Sequence, residues 1–342
     1  MRRVVKLLLG TGAIVLLVAG LIDAPGVAAA TTSASSCKSA SNIEAIVDDS
    51  GSMEITDPDR LRVQAMSLLI DDLSPKTQLG AVEFGSGIDV PGVLTIPPAD
   101  TVFPPGVVGP NATAMRSALD SAIKADNGAT DYNGAFAQSD ADNPKADARV
   151  FLTDGGHDVG TYNEAHLVHK VPTYVIGFGT GISAGPDQAR LKKIAKDTHG
   201  KYFPVEDTNE LQAAMNSIGA ALTCQTPPRQ FTDVLKQGQS KLHSITVGAA
   251  TKTLQITLTW ASPLDKFKVN GLRLIGKGGL LAVASSKPGK LKVTKSTSTT
   301  FTVLKVSGLR KGTLRFKVSA AKVASGAPKA TLTTQVGQST HK

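Results

Sequence analysis

The sequence predicts a doubly wound, mostly parallel α/β domain over residues 37–224, followed by an all-β sandwich over residues 225–342. Three observations carry this. As far as Cys224, short apolar segments alternate with longer amphipathic ones, the pattern of a sheet covered by helices on both faces. Beyond Cys224 the hydrophobic period drops to two, and Gly, Ser and Pro turns separate short runs, as in a sandwich. The charge divides at the same point. Residues 31–224 hold 14 Lys and Arg against 25 Asp and Glu, a net of −11, whereas residues 225–342 hold 20 against 2, a net of +18. The formal +9 of the whole 342-residue chain therefore describes neither part. With 41% hydrophobic and 19% charged residues the chain is not of disordered type, and two Cys are too few for a disulfide-built scaffold.

The first thirty residues read as an export signal. Arg2, Arg3 and Lys6 precede an apolar run from Leu7 to Ile22, and Ala28-Ala29-Ala30 supplies small residues for cleavage after Ala30. The run is shorter than the roughly 20 residues of a spanning helix; an uncleaved anchor is the alternative. Export puts Cys37 and Cys224 in an oxidising compartment, where one disulfide is expected. Closing a loop of about 190 residues, it would contribute at most about 5 kcal/mol in the chain-entropy account. A lipidated Cys37 is rejected, because Ala34-Ser35-Ser36 lacks the apolar residue such sites use and Cys224 would be left unpaired.

Within the α/β part, Ile43 to Val47 is a buried strand, and Asp59 to Leu73 a helix with a one-sided stripe of Leu61, Ala65, Met66, Leu68, Leu69 and Leu73. Gln78 to Phe84 is the second strand. A proline-rich stretch from Pro91 to Pro110 reads as loop, with an edge strand at Val93 to Ile96. Asn111 is placed to cap a helix reaching Ile123, and Tyr132 to Gln138 starts another. Val150 to Leu152 and Thr173 to Phe178 are strands, Asp187 to Thr198 a helix stopped by Gly200, Lys201 to Val205 a strand and Thr208 to Leu222 the last helix. Thr226-Pro227-Pro228 reads as the linker. About seven strands follow, at Ser244 to Val247, Leu254 to Trp260, Phe267 to Leu274, Gly289 to Val293, Phe301 to Val306, Gly312 to Val318 and Ala330 to Val336. Lys295 to Thr300 reads as a loop.

The first strand runs into Asp48-Asp49-Ser50-Gly51-Ser52, where Gly51 lets the chain turn tightly. In a parallel sheet, ligands lie beyond the carboxyl ends of the strands. Two further polar loops, Gly128-Ala129-Thr130-Asp131 and Thr153-Asp154-Gly155-Gly156, belong to the same end. Their hydroxyls and carboxylates form an oxygen-only set suited to a hard divalent cation of the magnesium type. Asp48-x-Ser50-x-Ser52, then Thr130, then Asp154 resemble the metal-ion-dependent adhesion site of von Willebrand factor A domains, and the resemblance extends over residues 42–222. It implies that Ser50, Ser52 and Thr130 touch Mg2+ (or Mn2+ or Ca2+) through hydroxyls, and that Asp48 and Asp154 act directly or through water. One position would stay open for a carboxylate from a protein partner. Asp49 either faces the metal, weakening acceptance of an anion, or faces away as a surface charge.

Other candidates carry less. His166 and His169 stand at i, i+3, but no third soft ligand lies near them, which favours a solvated helix face. No Gly-x-Ser-x-Gly elbow, phosphate loop or nucleophile–base set appears, so no enzyme is expected. The Asn111-Ala112-Thr113 sequon matters only in a glycosylating host. The basic part resembles the small β-sandwiches that follow such domains or peptidases in secreted bacterial proteins, through Gly238, the Leu254-to-Trp260 strand and Gly312 to Val318. Its lysines read either as a solvated surface that blocks sheet-to-sheet pairing or as an anchor for anionic cell-envelope polymer or lipid headgroups. Contact with an acidic first domain, its own or another copy's, is a third reading. Few aromatics and an exported chain argue against nucleic acid. The expectation is a secreted or cell-surface adhesion or ligand-binding protein; the alternative is an accessory or structural envelope protein.

Overall fold

The computed structural model describes residues 38–58, 60–91, 94–165, 170–178, 186–205, 208–284, 290–324 and 326–339. The expected signal peptide, Cys37 and the His166/His169 pair lie outside the described residues. Strand β1 (Asn42–Asp48) pairs in parallel with β2 (Gln78–Phe84) on one side and β6 (Ala148–Thr153) on the other. β7 (Thr173–Phe178) and β8 (Lys201–Val205) continue in parallel, and β5 (Ala99–Val107) closes the other edge antiparallel to β2. The order is β5-β2-β1-β6-β7-β8.

Alternation along β1 explains why the sheet has helices on both faces. Ile43, Ala45 and Val47 join a core with α2 (Leu61–Asp72), α3 (Val108–Ala122) and α6 (Thr208–Leu222). Ile46 points the other way, into a core with α4 (Tyr132–Asp142) and α5 (Pro186–Asp197). A strand buried on both faces loses the polar alternation of a half-exposed one. The chain leaves β1 toward β2 and returns to β6 on the opposite side, so the switch point lies between β1 and β6.

Among the described residues beyond α6, nine antiparallel strands form two sheets. β10 (Ser240–Val247), β16 (Gly312–Lys322), β12 (Lys266–Gly276) and β13 (Gly279–Val283) make one, in that order. The other runs β14 (Lys292–Thr297), β15 (Phe301–Ser307), β11 (Thr253–Thr259), β17 (Ala330–Ser339) and β9 (Thr226–Leu235). Leu254, Ile256, Leu258 and Trp260 do share one buried side, facing Leu274, Leu314, Phe316 and Val318 of the opposite sheet. The second face of β11 is buried too. Gln255 donates to Asp72 of α2, Lys305 Nζ donates to Leu73 O at 3.1 Å, and Phe301 and Val303 pack on Leu68.

Several expectations need correction. The proline-rich stretch is not all loop, because Pro104 and Pro105 lie within β5, an edge strand with no neighbour on its outer side. The strand near Val93 to Ile96 is β4 (Leu94–Ile96), which pairs with β3 (Ile88–Val90) in a hairpin outside the main sheet. Asn111 is not a cap: α3 starts at Val108, and Asn111 Nδ2 donates back to Val107 O at 2.8 Å. Thr226-Pro227-Pro228 opens β9, another edge strand, so it is no linker. Part of Lys295 to Thr300 belongs to β14, also at an edge. The α2 stripe is not one-sided. Val63, Ala65, Met66, Leu68, Leu69 and Ile70 are all buried, because the sheet takes one side and the sandwich covers another.

Candidate metal centre

Asp48, the last residue of β1, is fully buried. Its Oδ1 accepts from Ser50 N at 2.9 Å and its Oδ2 from Thr153 Oγ1 at 2.6 Å. The chain then enters α1 (Met53–Thr56), a single turn that carries Ser52 at its N-cap position. Gly51 does not adopt a positive φ; the left-handed glycine of the site is Gly128, at φ 68°. Gly128 O accepts from Gly51 N at 2.7 Å, and Asn127 N donates to Asp49 O at 3.0 Å, stapling this loop to the β1 end. The loop leads into α4, where Asp131 accepts from Asn133 N and caps the helix. Thr130, one residue earlier, is buried, and its Oγ1 lies 3.6 Å from where a Cβ on Gly155 would sit.

Asp154 follows β6. Its Oδ1 accepts from Ser52 Oγ at 2.9 Å, and Ser52 Oγ lies 3.0 Å from Ser50 Oγ. A continuous path thus runs from Asp48 through the two serines to Asp154. Thr56 donates to the second oxygen of Asp154. Burial pushes the Asp48 carboxyl up to about 7, and the neighbouring Asp154 charge adds to this. Burial also raises Asp154. Neither carboxylate forms an ion pair among the described residues. Ser52 is exposed, so the cluster opens to solvent on its side.

Asp48 at the end of β1 and the other four expected residues, on the three loops after β1, before α4 and after β6, thus lie at the switch-point end of the sheet. Two carboxylates and three hydroxyls suit a hard divalent cation. Among the described residues no group of three or more His, Cys, Asp and Glu side chains is assembled for a metal. Asp49 matches neither expectation: it faces away, yet it is buried rather than a surface charge. It pairs with Arg62 at 3.1 Å and accepts from Ala125 N at 2.6 Å. Arg62 also pairs with Asp57 at 3.2 Å, so its charge is committed there. Thr56, Thr153 and Arg62 support these residues through contacts that the sequence does not signal. Nothing in the neighbours of Thr153 signals its bond to a residue 105 positions away.

No family model and no curated protein matches the sequence. Solved structures do. A von Willebrand factor type A protein from Catenulispora acidiphila is 16% identical, with 88% of this chain and 64% of that one covered, at a TM-score of 0.42. Proximal thread matrix protein 1 from the mussel byssus is 17% identical, covering 59% of this chain and 50% of that one, at 0.43; one of its structures has a zinc-occupied MIDAS motif. The open conformation of the pilus adhesin SpaC from Lactobacillus rhamnosus GG is 11% identical, covering 88% and 44%, at 0.42. The chain spans 64% of the first of these and 50% and 44% of the other two. Its sheet order and two-faced core make residues 42–222 a doubly wound, mostly parallel α/β fold, followed by an antiparallel β-sandwich.

Proposed function

We propose that this chain is a secreted or cell-surface ligand-binding protein of the adhesion kind. In this reading Asp48, Ser50, Ser52, Thr130 and Asp154 hold one divalent cation, Mg2+ or else Mn2+ or Ca2+, which takes up a carboxylate from a protein partner. The observation that supports it most is the hydrogen-bond chain that runs from Asp48 through Ser50 N and then the Ser50 and Ser52 hydroxyls to Asp154, joining two buried carboxylates without ion-pair partners at adjacent strand ends. A bound cation would supply a Lewis-acidic centre whose charge the two aspartates balance, leaving an anion attracted rather than repelled. The chain's own residues do the positioning. Thr153 and Thr56 fix the two carboxylates, Ser52 stands at the open side, and Arg62 keeps Asp49 turned away from the incoming anion. The setting is extracellular: residues 1–30 serve as the export signal, Cys37 pairs with Cys224, and residues 37–224 and 225–342 are the two domains.

Calorimetric titration with Mg2+ and Mn2+ tests the site. One cation should bind per chain and raise the melting temperature. Asp48→Ala/Asp154→Ala should abolish both effects while circular dichroism stays unchanged. Wild-type protein that takes up neither ion, or a variant that binds as before, overturns the metal site. Chelator-insensitive capture of the chain on an immobilised acidic peptide overturns the carboxylate step.

A further inference from the structure

The outer face of the four-stranded sheet has no counterpart within the described chain. Its neighbour, the five-stranded sheet, is covered on both sides, by the sandwich core and by α2. On the four-stranded sheet Lys268, Arg273, Arg315 and Lys317 are all exposed and stand on the two central strands, β12 and β16. Arg273 lies directly across from Arg315, and Lys317 is across from Asn270. Like charges placed opposite each other destabilise a sheet. None of these four cations forms an ion pair among the described residues. Nor can the domain's own acids help. Its only two, Asp233 and Asp265, are buried, one against His243 Nε2 at 2.7 Å and the other accepting from Ala324 N at 2.7 Å.

Each edge strand of the same sheet carries an exposed leucine. Leu242 on β10 is 59% exposed and Leu280 on β13 is 62% exposed. A cationic centre between exposed leucines suits a surface that is anionic at its face and hydrocarbon beneath. We propose that this face docks the protein on an anionic lipid surface, with the four cations over headgroup phosphates and Leu242 and Leu280 entering the interface. A hydrated anionic polymer would match the charge but leave the leucines without a role. A second copy's acidic domain would match the charge through a contact that does not close on itself.

Cosedimentation of the full chain with phosphatidylglycerol and phosphatidylcholine vesicles tests this. Binding is expected to phosphatidylglycerol alone and to weaken as salt rises from about 0.1 M to about 0.5 M, because the Debye length shrinks. Arg273→Gln/Arg315→Gln should weaken it about tenfold or more, at roughly 1 kcal/mol per cation and 1.4 kcal/mol per decade. The melting temperature should not fall, since a repulsive pair is removed. Leu242→Ser/Leu280→Ser should weaken vesicle binding further while leaving retention on a heparin column unchanged. Equal binding to both vesicle types, retention on anionic polymer without vesicle binding, or salt-sensitive self-association in place of either overturns the proposal.

Discussion

Arg62 has no exposed surface, yet it carries a full charge beneath the candidate metal loop. Its guanidinium reaches Asp49 through one nitrogen and Asp57 through another, and its own backbone N donates to Asp57 Oδ2 at 2.9 Å. The first turn of α2 is thereby tied to the loop after β1 and to the residue after α1. Two buried acids around one cation are acceptable only while the cation is present. Arg62→Ala should therefore destabilise the protein by about 3–5 kcal/mol, the cost of leaving buried charge uncompensated. Arg62→Lys should recover only part of this, because an ammonium cannot fork between two carboxylates. Urea denaturation reads the outcome as a shifted midpoint at unchanged slope; a midpoint that does not move would show that the triad is dispensable.

At the scale of the element, β1 has an acid where a central strand should be apolar. Glu44 is buried, lies opposite Gly80 of β2, and accepts from Asn143 Nδ2 at 3.0 Å. Gly80 makes the room, since a Cβ there would stand 2.2 Å from Glu44 Oε2. Burial pushes the Glu44 carboxyl up to about 8 from its ordinary 4.5. The folded chain then holds a proton that the unfolded chain gives up, so stability present below pH 4.5 is lost as pH rises through about 8. Glu44→Gln should flatten that decline and leave the variant more stable at pH 8 by a few kcal/mol, on the order expected from linkage. Denaturation midpoints across the same pH window check it; parallel curves for both proteins would rule the assignment out. The same strand shows what could be read from sequence. Its apolar run and the turn after it were legible because both are local. Asp48, Ser50, Ser52, Thr130 and Asp154 could be named from their spacing and order along the chain, which resemble a known pattern; that they hold a metal is a proposal. Prolines concealed β5, and the Ser/Thr/Lys composition concealed part of β14, because an edge strand need not satisfy a second neighbour. Thr56, Thr153 and Arg62 act only through the tertiary fold, which no local pattern encodes.

The whole molecule is layered by charge as well as by structure: an acidic α/β layer, a shared five-stranded sheet, and a cationic sheet on the far side. The middle layer couples the other two. Leu68 packs with Phe301 and Val303, Gln64 Oε1 accepts from Thr299 Oγ1 at 2.8 Å, and Ser296 Oγ donates to Asp71 Oδ2 at 2.7 Å. Among the described residues every α-helix belongs to the first layer, so far-UV circular dichroism reports mainly its unfolding. The single tryptophan, Trp260, is buried in the sandwich, so fluorescence reports the other. If the shared face makes one cooperative unit, both signals should change together in the wild type, as two-state unfolding requires. Phe301→Ala removes a fully packed ring at the seam, a change that costs about 3–5 kcal/mol in a core. Its two signals should separate, with fluorescence changing first because Phe301 belongs to the sandwich. Signals already apart in the wild type would show two independently stable halves. Signals still together in the variant would place the coupling elsewhere on the seam, at Asp72, Gln255 and Lys305, whose contacts the substitution leaves intact.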